Sequence, residues 1–518
     1  MAAPPEDEAL PRRDLPPFRD LREFLTHLEA RGQLARVGTP VSVVHEMTEI
    51  HRRVLKAGGP ALLFEHAVKA DGQRAAMPVL VNLFGTCERV AWGLGVRPEN
   101  LASLGDLLGE LRAPRPPRDL GDALRKLPLA RAALAMRPRA IAEAPVHGVV
   151  QRGDAVDLGA LPAQICWPGE PAPLLTWPLV ITRPPDDEAI ESYNVGVYRM
   201  QVLGRDRAII RWLAQRGGAR HHRMWRDRGL EMPVAVAIGA DPATILAAAL
   251  PLPETLSEIQ FAGLLRDERT RLAPGVGGRL LVPADAEIVI EGTVAPTETA
   301  AEGPYGDHTG YYNAVEAFPV MRVSAITMRT APIYLSTFTG RPPDEPSRIG
   351  EALNALFAPL VRRQFPEVVD IWLPPEACSY RIAVASLAKT YPGQARRVML
   401  GLWSLLPQLT YTKLLIVVDP DIDVRSWEDV MWAVSTRADA SRDLVTIDQT
   451  PIDYLDFASP KPGLGGKLGI DATVKIGPET ERPFGRILAM DEATIARVDA
   501  MWGQLGLARP RRDAGRAP

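Results

Sequence analysis

Between two apolar, strand-like runs the chain reads Glu302-Gly303-Pro304-Tyr305-Gly306-Asp307-His308-Thr309-Gly310-Tyr311-Tyr312, which crowds two carboxylates, a histidine, three glycines and three tyrosines together. Gly303-Pro304 and Gly306 let the backbone turn sharply, so that Glu302 and Asp307 can face one space. Two acids that share a space separate their pKa values; one can then hold a proton near neutrality and deliver it while the other stays an anion. A solvated acidic turn is the plain alternative, and loops carry sites often enough to keep the acid-base reading in play.

A second group lies upstream. Asn194, Arg199, Arg211 and Arg216 fall within an expected hairpin and its exit, and an oxygen ligand with three guanidinium groups suits an anion such as a phosphate. Glu258, in Ser257-Glu258-Ile259-Gln260, adds a carboxylate that could join Asn194 on a hard divalent cation, Mn or Mg. The plain alternative is surface ion pairs, which contribute little. Asn194 and Arg199 are five apart and so fall on opposite faces of a regular strand, and Gly196 is where a bulge would reorient them. Other features carry less. His221-His222 point apart on any regular element; Asp419-Pro420-Asp421-Ile422-Asp423 lacks the glycine and terminal glutamate of a calcium loop and reads as a solvated turn; Gly463 to Leu468 lacks the spacing of a phosphate loop and reads as a flexible connector.

The chain of 518 residues, 46% hydrophobic and 24% charged, is long enough for two to four domains. A net charge of −3 supplies no basic field, which argues against nucleic acid as a partner. Three scattered cysteines, Cys87, Cys166 and Cys378, exclude a disulfide framework and a Cys-rich zinc site, and suit a reducing cytosol. The acidic start Pro4-Pro5-Glu6-Asp7-Glu8 is unlike a signal peptide, and a cytoplasmic location is expected.

Leu21, Phe24, Leu25 and Leu28 repeat at helical spacing and Gly32 supplies a stop, opening an N-terminal α/β unit expected over 1–144, whose end from Arg112 to Arg139 is a Pro- and Arg-rich linker. From 145 to 335 strands dominate: Tyr193 to Leu203 and Ala208 to Leu213 around a tip at Gly204 to Arg207, then Pro233 to Ile238, Glu287 to Thr293 and Phe318 to Met328. That favours an antiparallel sheet or small barrel with Glu302 to Tyr312 at its mouth. Over 336–490 helices and strands alternate, which predicts an α/β domain with a parallel or mixed sheet. Residues 491–518 hold a last helix, capped by Asp491 and carrying Ile495, Val498, Trp502 and Leu505 on one face that needs a partner.

Asn194-Val195-Gly196-Val197-Tyr198-Arg199, Arg211 to Gly218, Glu302 to Tyr312, Thr339-Gly340-Arg341-Pro342-Pro343 and Asp448 to Ser459, in that order, resemble motifs of the UbiD family of decarboxylases, and the similarity runs from the first helix to the last. The resemblance implies an α+β, multidomain protein with a central split β-barrel of the flavin-reductase-like, FMN-binding kind. It also implies prenylated FMN held through a divalent metal, usually Mn, with K nearby. Asn194 and Glu258 would be metal ligands; Val197, Tyr198, Arg199, Arg211, Trp212, Leu213, Arg216 and Gly217 would line the cofactor, with Lys389 as a phosphate partner. Arg199, Glu302 and Asp307 would form the catalytic network. Some relatives place a histidine ligand where this chain has Gln215, Arg216 and Gly217, and many read Gly-His-Ala at Gly393-Gln394-Ala395.

Thr450 to Ser459 is most similar to the branch acting on 4-hydroxy-3-polyprenylbenzoate in ubiquinone biosynthesis. Implied partners are an aromatic acid with a prenyl tail, a flavin prenyltransferase that supplies the cofactor, and further copies of the chain in a dimer or hexamer. Peripheral association with the inner membrane face accompanies that substrate. The alternatives are another phenolic or α,β-unsaturated acid, or flavin binding without turnover.

Overall fold

The computed structural model describes residues 14–112, 119, 121, 127–214, 216–250, 252, 256–405, 407–505 and 507, in two compact units: Met1–Leu360 with Pro375–Ser379, and Val361–Pro374 with Tyr380–Pro518. In the first unit, helix α1 (Leu21–Glu29) is capped by Asp20, whose carboxylate accepts the Glu23 N–H, and it buries the predicted Leu21, Phe24, Leu25 and Leu28. A small sheet of Leu34–Val37, Ala61–Phe64 and Val79–Val81 is completed by Tyr334–Leu335, from far along the chain.

The main sheet of this unit contains β1 (Val149–Arg152), β2 (Leu174–Leu175), β3 (Leu179–Thr182), β4 (Asn194–Val197), β5 (Met200–Val202), β6 (Arg207–Ile210), β7 (Met232–Ile238), β8 (Ile288–Glu302) and β9 (Glu316–Met328). Its order is β4-β3-β7-β8-β9-β6-β5-β2, with β1 beside β9. Every pairing is antiparallel. The order dictates the shape. β4 stands at one edge and β5 next to the other, yet only Tyr198 and Arg199 join them. In a flat sheet they would lie six strand spacings apart, about 29 Å, whereas the Val197-to-Met200 connection can span only about 11 Å. The sheet therefore curls into a half-barrel whose two margins approach each other at Tyr198-Arg199. Register shifts at Glu291/Gly292 and Val294/Thr299 help the two long strands bend.

One expected strand, Tyr193 to Leu203, is thus two strands on opposite margins, and Gly196 carries no bulge: β4 runs in unbroken register from Asn194↔Thr182 to Val197↔Leu179. The chain instead leaves the sheet at Tyr198. A Cβ on Gly196 would fall 2.6 Å from the Tyr198 ring, so the glycine makes room for that departure. The β5–β6 hairpin forms as expected, with Met200 opposite Ile210. Helices α2 (Gly217–Arg226) and α3 (Glu258–Arg266) pack beside β4.

The second unit holds β10 (Val368–Trp372), β11 (Ile382–Leu387), β12 (Leu414–Val418), β13 (Leu444–Pro451) and β14 (Leu464–Ala472), in the order β10-β11-β12-β14-β13. β11, β12 and β14 are parallel and both margins antiparallel, which makes the expected mixed sheet. Helices α4 (Gln394–Leu405) and α5 (Trp427–Arg437) pack on β14. One sequence expectation fails here. Leu464 to Leu468 is no connector but the start of β14, where the missing side chain of Gly469 admits Met399 at a distance of 2.6 Å from a would-be Cβ. Asp419 to Asp423 does end β12 as an exposed turn, in which Asp419 and Asp421 also accept hydrogen bonds from the buried Arg437.

Helix α6 (Glu492–Met501) is capped by Asp491, which accepts the Thr494 N–H at 2.8 Å. Ile495, Val498 and Leu505 are exposed in the single chain, together with Leu488 and Met490. Among the described residues no helix is long and apolar enough to cross a membrane.

Candidate functional site

Arg199, placed at the split, and Glu302, the last residue of β8, are 103 positions apart and meet through two hydrogen bonds, Nε to Oε1 at 2.8 Å and Nη2 to Oε2 at 3.2 Å. The same guanidinium donates from Nη1 to Asp307 Oδ2 at 3.0 Å and from Nη2 to Asn313 Oδ1 at 2.7 Å. Arg211, leaving β6, donates to Glu302 Oε2 at 2.8 Å. The turn expected to bring the two acids to one space does so, around one arginine. Tyr305 packs its ring 5.3 Å from the Arg199 guanidinium carbon.

All of these groups are largely withdrawn from water, Glu302 at 1% exposure. Burial alone would raise the Asp307 carboxyl. The hydrogen bond from His308 and the charges of His308 and Arg199 outweigh it and hold the group down at about 2, so Asp307 is an anion at neutral pH. Those two acids raise the Arg199 pKa against the opposing effect of burial.

The second expected group divides: Arg199 and Arg211 belong to the acid network, while Asn194, Glu258 and the Arg216 cap position lie around β4. Helix α2 begins with Gly217-Gly218, and a Cβ on these residues would fall 1.9 Å from Asn194 Oδ1 and 2.5 Å from Trp212 Nε1. The two glycines thus let the helix N-terminus close onto Asn194 and Trp212. Arg216, at the cap position, is exposed and provides no side-chain cap, so the start of α2 presents its partial positive charge to an anion with only the Tyr198 hydroxyl near the Gly218 N–H. Tyr198 lies 3.4 Å by its hydroxyl from both Asn194 Nδ2 and the Gly218 N–H, with its ring edge-on to Trp212.

Glu258 opens α3 and accepts the Val195 N–H at 2.9 Å. Burial pushes its carboxyl up to about 7, opposed only by backbone hydrogen bonds, and no cation among the described residues pairs with it. The Trp212 indole N–H is likewise buried without a partner among the described residues. An amide oxygen, a carboxylate lacking a counterion and an uncapped helix start are a donor set that fits a hard cation and a phosphate. No cluster of three or more His, Cys, Asp or Glu exists among the described residues, so further ligands to a cation would come from the bound group or water.

Of the other expected residues, Val197 packs against the main core, and Leu213 against Ile209, Phe318 and Val320. Lys389 belongs to the second unit, where its ammonium donates to Thr473 Oγ1 and Glu479 Oε2, each at 2.7 Å. Gln215 lies outside the described residues. His221 and His222 do point apart, toward Thr182 and the Ala295 carbonyl.

Sequence reasoning missed Asn313 and Glu316. Asn313 receives Arg199 and the Tyr305 N–H on one oxygen; it stands one position beyond the Glu302 to Tyr312 stretch, and that adjacency was the only signal in the sequence. Glu316 sits directly across the ladder from Glu302, 3.6 Å from Arg211, a pairing that only the β8–β9 register discloses.

Three protein-family descriptions match the chain: the N-terminal domain of 3-octaprenyl-4-hydroxybenzoate carboxy-lyase over 25–108, its Rift-related domain over 139–342 and its C-terminal domain over 347–472. Among solved structures, the closed form of vanillic acid decarboxylase from Sedimentibacter hydroxybenzoicus is 27% identical with a TM-score of 0.79, over 95% of this chain and 99% of that one. The UbiD-class enzyme HmfF from Pelotomaculum thermopropionicum, in complex with FMN, is 29% identical with a TM-score of 0.75, over 93% and 99%. An evolved dimeric form of HmfF in complex with prFMN is 27% identical with a TM-score of 0.73, over 92% and 100%. Three matching domains in one order and likeness along nearly the whole chain make the conclusion plain: this chain belongs to the UbiD family and is a decarboxylase, a carboxy-lyase.

Proposed function

We propose that the chain performs the non-oxidative, prenylated-FMN-dependent decarboxylation of an aromatic acid, with 4-hydroxy-3-polyprenylbenzoate, giving 2-polyprenylphenol, as the substrate. The observation that carries this reading is the Arg199–Glu302–Asp307 network together with a helix start that has no side-chain cap and suits an anion. The cofactor, when bound, supplies an electron sink for the density left on the aromatic carbon as CO2 departs. Asn194 and Glu258 bind the metal, Mn by preference, with K nearby, and Tyr198, Trp212, Arg216 and Gly217 border the phosphate and ring. Arg199 orients the substrate and balances its charge. Glu302 protonates the carbon that has lost CO2, and Asp307, an anion throughout neutral pH, keeps Arg199 in register with Glu302.

Structural relatives above 25% identity support the chemistry: one is a vanillic acid decarboxylase and one binds prFMN. The Thr450 to Ser459 motif supports the prenylated substrate. The location proposed is cytoplasmic, reaching the inner membrane face for so apolar a tail. The exposed Ile495, Val498 and Leu505 favour assembly with further copies of the chain; truncation after residue 490 should lower the mass seen by light scattering, and an unchanged mass refutes the role of that helix.

The test of function is to produce the chain together with a flavin prenyltransferase, identify the retained cofactor by mass spectrometry, and follow CO2 release from a 4-hydroxy-3-prenylbenzoate, vanillate and 3,4-dihydroxybenzoate. Protein loaded with prenylated FMN that releases CO2 from none of them refutes the reading. Preference for an unprenylated acid refutes the substrate alone.

A further inference from the structure

The catalytic network is held from behind by a loop that touches none of its charged groups through a hydrogen bond. Glu170, at 9% exposure, uses both carboxylate oxygens: Oε2 accepts the N–H groups of Cys166 and Trp167, at 2.6 and 3.1 Å, and Oε1 accepts the N–H of Gly306 at 3.2 Å. Gly306 immediately precedes Asp307. Its carbonyl is taken as well, by Thr339 Oγ1 at 3.0 Å, so both backbone polar groups of this one residue are fixed by side chains from two other segments.

The indole of Trp167 fills the space between them. A Cβ on Gly306 would fall 2.2 Å from Trp167 Cδ1, and one on Gly340 would fall 2.8 Å from its Cζ2. The indole N–H donates to the Thr339 carbonyl at 2.9 Å, closing a ring of contacts from Glu170 through Gly306 and Thr339 to Trp167. Two tyrosines extend the grip along the turn: Tyr305 donates from its hydroxyl to the Ala172 carbonyl at 3.0 Å, and the Tyr312 hydroxyl accepts the Gly169 N–H at 3.1 Å.

We propose that Glu170 is a positioning residue for this reaction, whose carboxylate, acting with Thr339 on Gly306, sets Asp307 where it meets Arg199 and thereby the geometry of the Arg199–Glu302 pair. Its charge belongs to the same arrangement. Burial raises the Glu170 carboxyl, opposed by its three N–H bonds and then by the Arg199 charge, and Glu170 in turn favours the charged guanidinium. Burying a carboxylate is costly unless it is fully hydrogen-bonded, and Glu170 is satisfied by three N–H donors only while the turn stays closed on it.

This inference rests on the decarboxylase reading for its kinetic arm and on nothing but the fold for its structural one. In Glu170→Gln, one of the two acceptor positions becomes an NH2 group that cannot accept an N–H, so Gly306 or the 166–167 pair loses its partner. In Thr339→Val, the carbonyl side is released with little change of shape. Hydrogen exchange of the peptide 302–312, read by mass spectrometry on the cofactor-loaded protein, is expected to speed up at least threefold in either variant while peptides outside 166–172 and 302–312 keep their wild-type rates.

With the aromatic acid that the wild type turns over, kcat is expected to fall about tenfold, as misplacement of catalytic groups does, with KM and bound-flavin absorbance within about twofold of wild type. The double variant should lose less than the product of the two single losses, because both act on Gly306. Unchanged exchange over 302–312 overturns the clamp, whether or not the substrate has been found. A kcat within twofold of wild type, or a loss of kcat matched by a loss of flavin, overturns the positioning role. If Glu170→Gln does not fold, Thr339→Val decides by the same readings.

Discussion

The two halves of the site solve the burial of charge in opposite ways. The Arg199 half is largely paired within itself: two guanidinium groups, two carboxylates and an amide hydrogen-bond one another, and Asp307 sits at about 2 through His308 and the Arg199 charge. The Glu258 half is left open, with a carboxylate raised to about 7 by burial, no cation beside it among the described residues, and a helix start without a side-chain cap. A charge network whose acids are already hydrogen-bonded to arginine holds its shape between turnovers, which is what general acid-base chemistry requires. A carboxylate that burial penalises becomes comfortable only when a cation arrives, so the cost is recovered as binding affinity. One half is preorganised for the reaction and the other for recruiting what the reaction needs.

The largest effect should come from breaking the closed half at its centre. Glu302→Gln keeps the shape and can still accept from one arginine, but it has no carboxyl proton to give. Decarboxylation is expected to fall at least ~100-fold with flavin absorbance nearly unchanged, and near-normal CO2 release would show that the proton comes from elsewhere. The open half should fail differently. Glu258→Ala is expected to weaken metal and flavin together by roughly 10- to 100-fold, as loss of a metal-site partner does. Calorimetry showing full flavin affinity in that variant without metal would separate phosphate binding from the cation and dissolve the contrast.

How far the sequence disclosed this arrangement follows from range. The acid turn was legible because Glu302, Gly303, Gly306 and Asp307 are neighbours, and local glycines dictate a local bend. The lone helix-opening Glu258 was legible by its residue type and by family likeness. What the sequence hid depends on pairing across distance. Alternation in Tyr193 to Leu203 reads as one strand, since nothing in those residues states that β4 and β5 belong to opposite margins of a curled sheet. Glu316 becomes a neighbour of Glu302 only through register, and Gly463 to Leu468 looks like a connector until two strands and α4 enclose it. Glycine runs signal close approach as readily as looseness, and only the approaching partner tells which.

A smaller effect should follow from Asp307→Asn, which removes the anion but leaves Arg199 its two bonds to Glu302. A loss of kcat on the order of tenfold is expected, short of the range for removing a general acid. Because the native carboxyl lies at about 2, below its ordinary 3.8, its ionisation is complete throughout neutral and mildly acidic solution. The wild-type kcat profile should therefore show no limb from Asp307 above about pH 4, and any limb present there should survive in Asp307→Asn. Disappearance of such a limb in the variant would assign Asp307 a titrating role and contradict its place as the fixed anion.

The smallest effect tests the open half by pH alone. With its carboxyl raised from 4.5 to about 7, the metal-free protein carries Glu258 protonated below neutrality. A cation binds only the ionised form, so binding must expel the proton, and affinity rises with pH until ionisation is complete. The ionised fraction is about nine-tenths at pH 8, half at pH 7 and one-tenth at pH 6, so Mn affinity should fall about twofold over the first unit and about fivefold over the second. The folding linkage has the matching sign. A raised carboxyl contributes stability that is full below the unfolded value and is lost as pH rises through the folded one, so the metal-free protein weakens between about pH 4.5 and 7, and Mn restores most where that loss is complete. Titration calorimetry across pH 6 to 8 in two buffers of different ionisation enthalpy reads both the slope and the released proton. Glu258→Gln, with nothing to titrate, should bind weakly and without slope; a variant that kept the wild-type slope would place the titrating ligand on another residue.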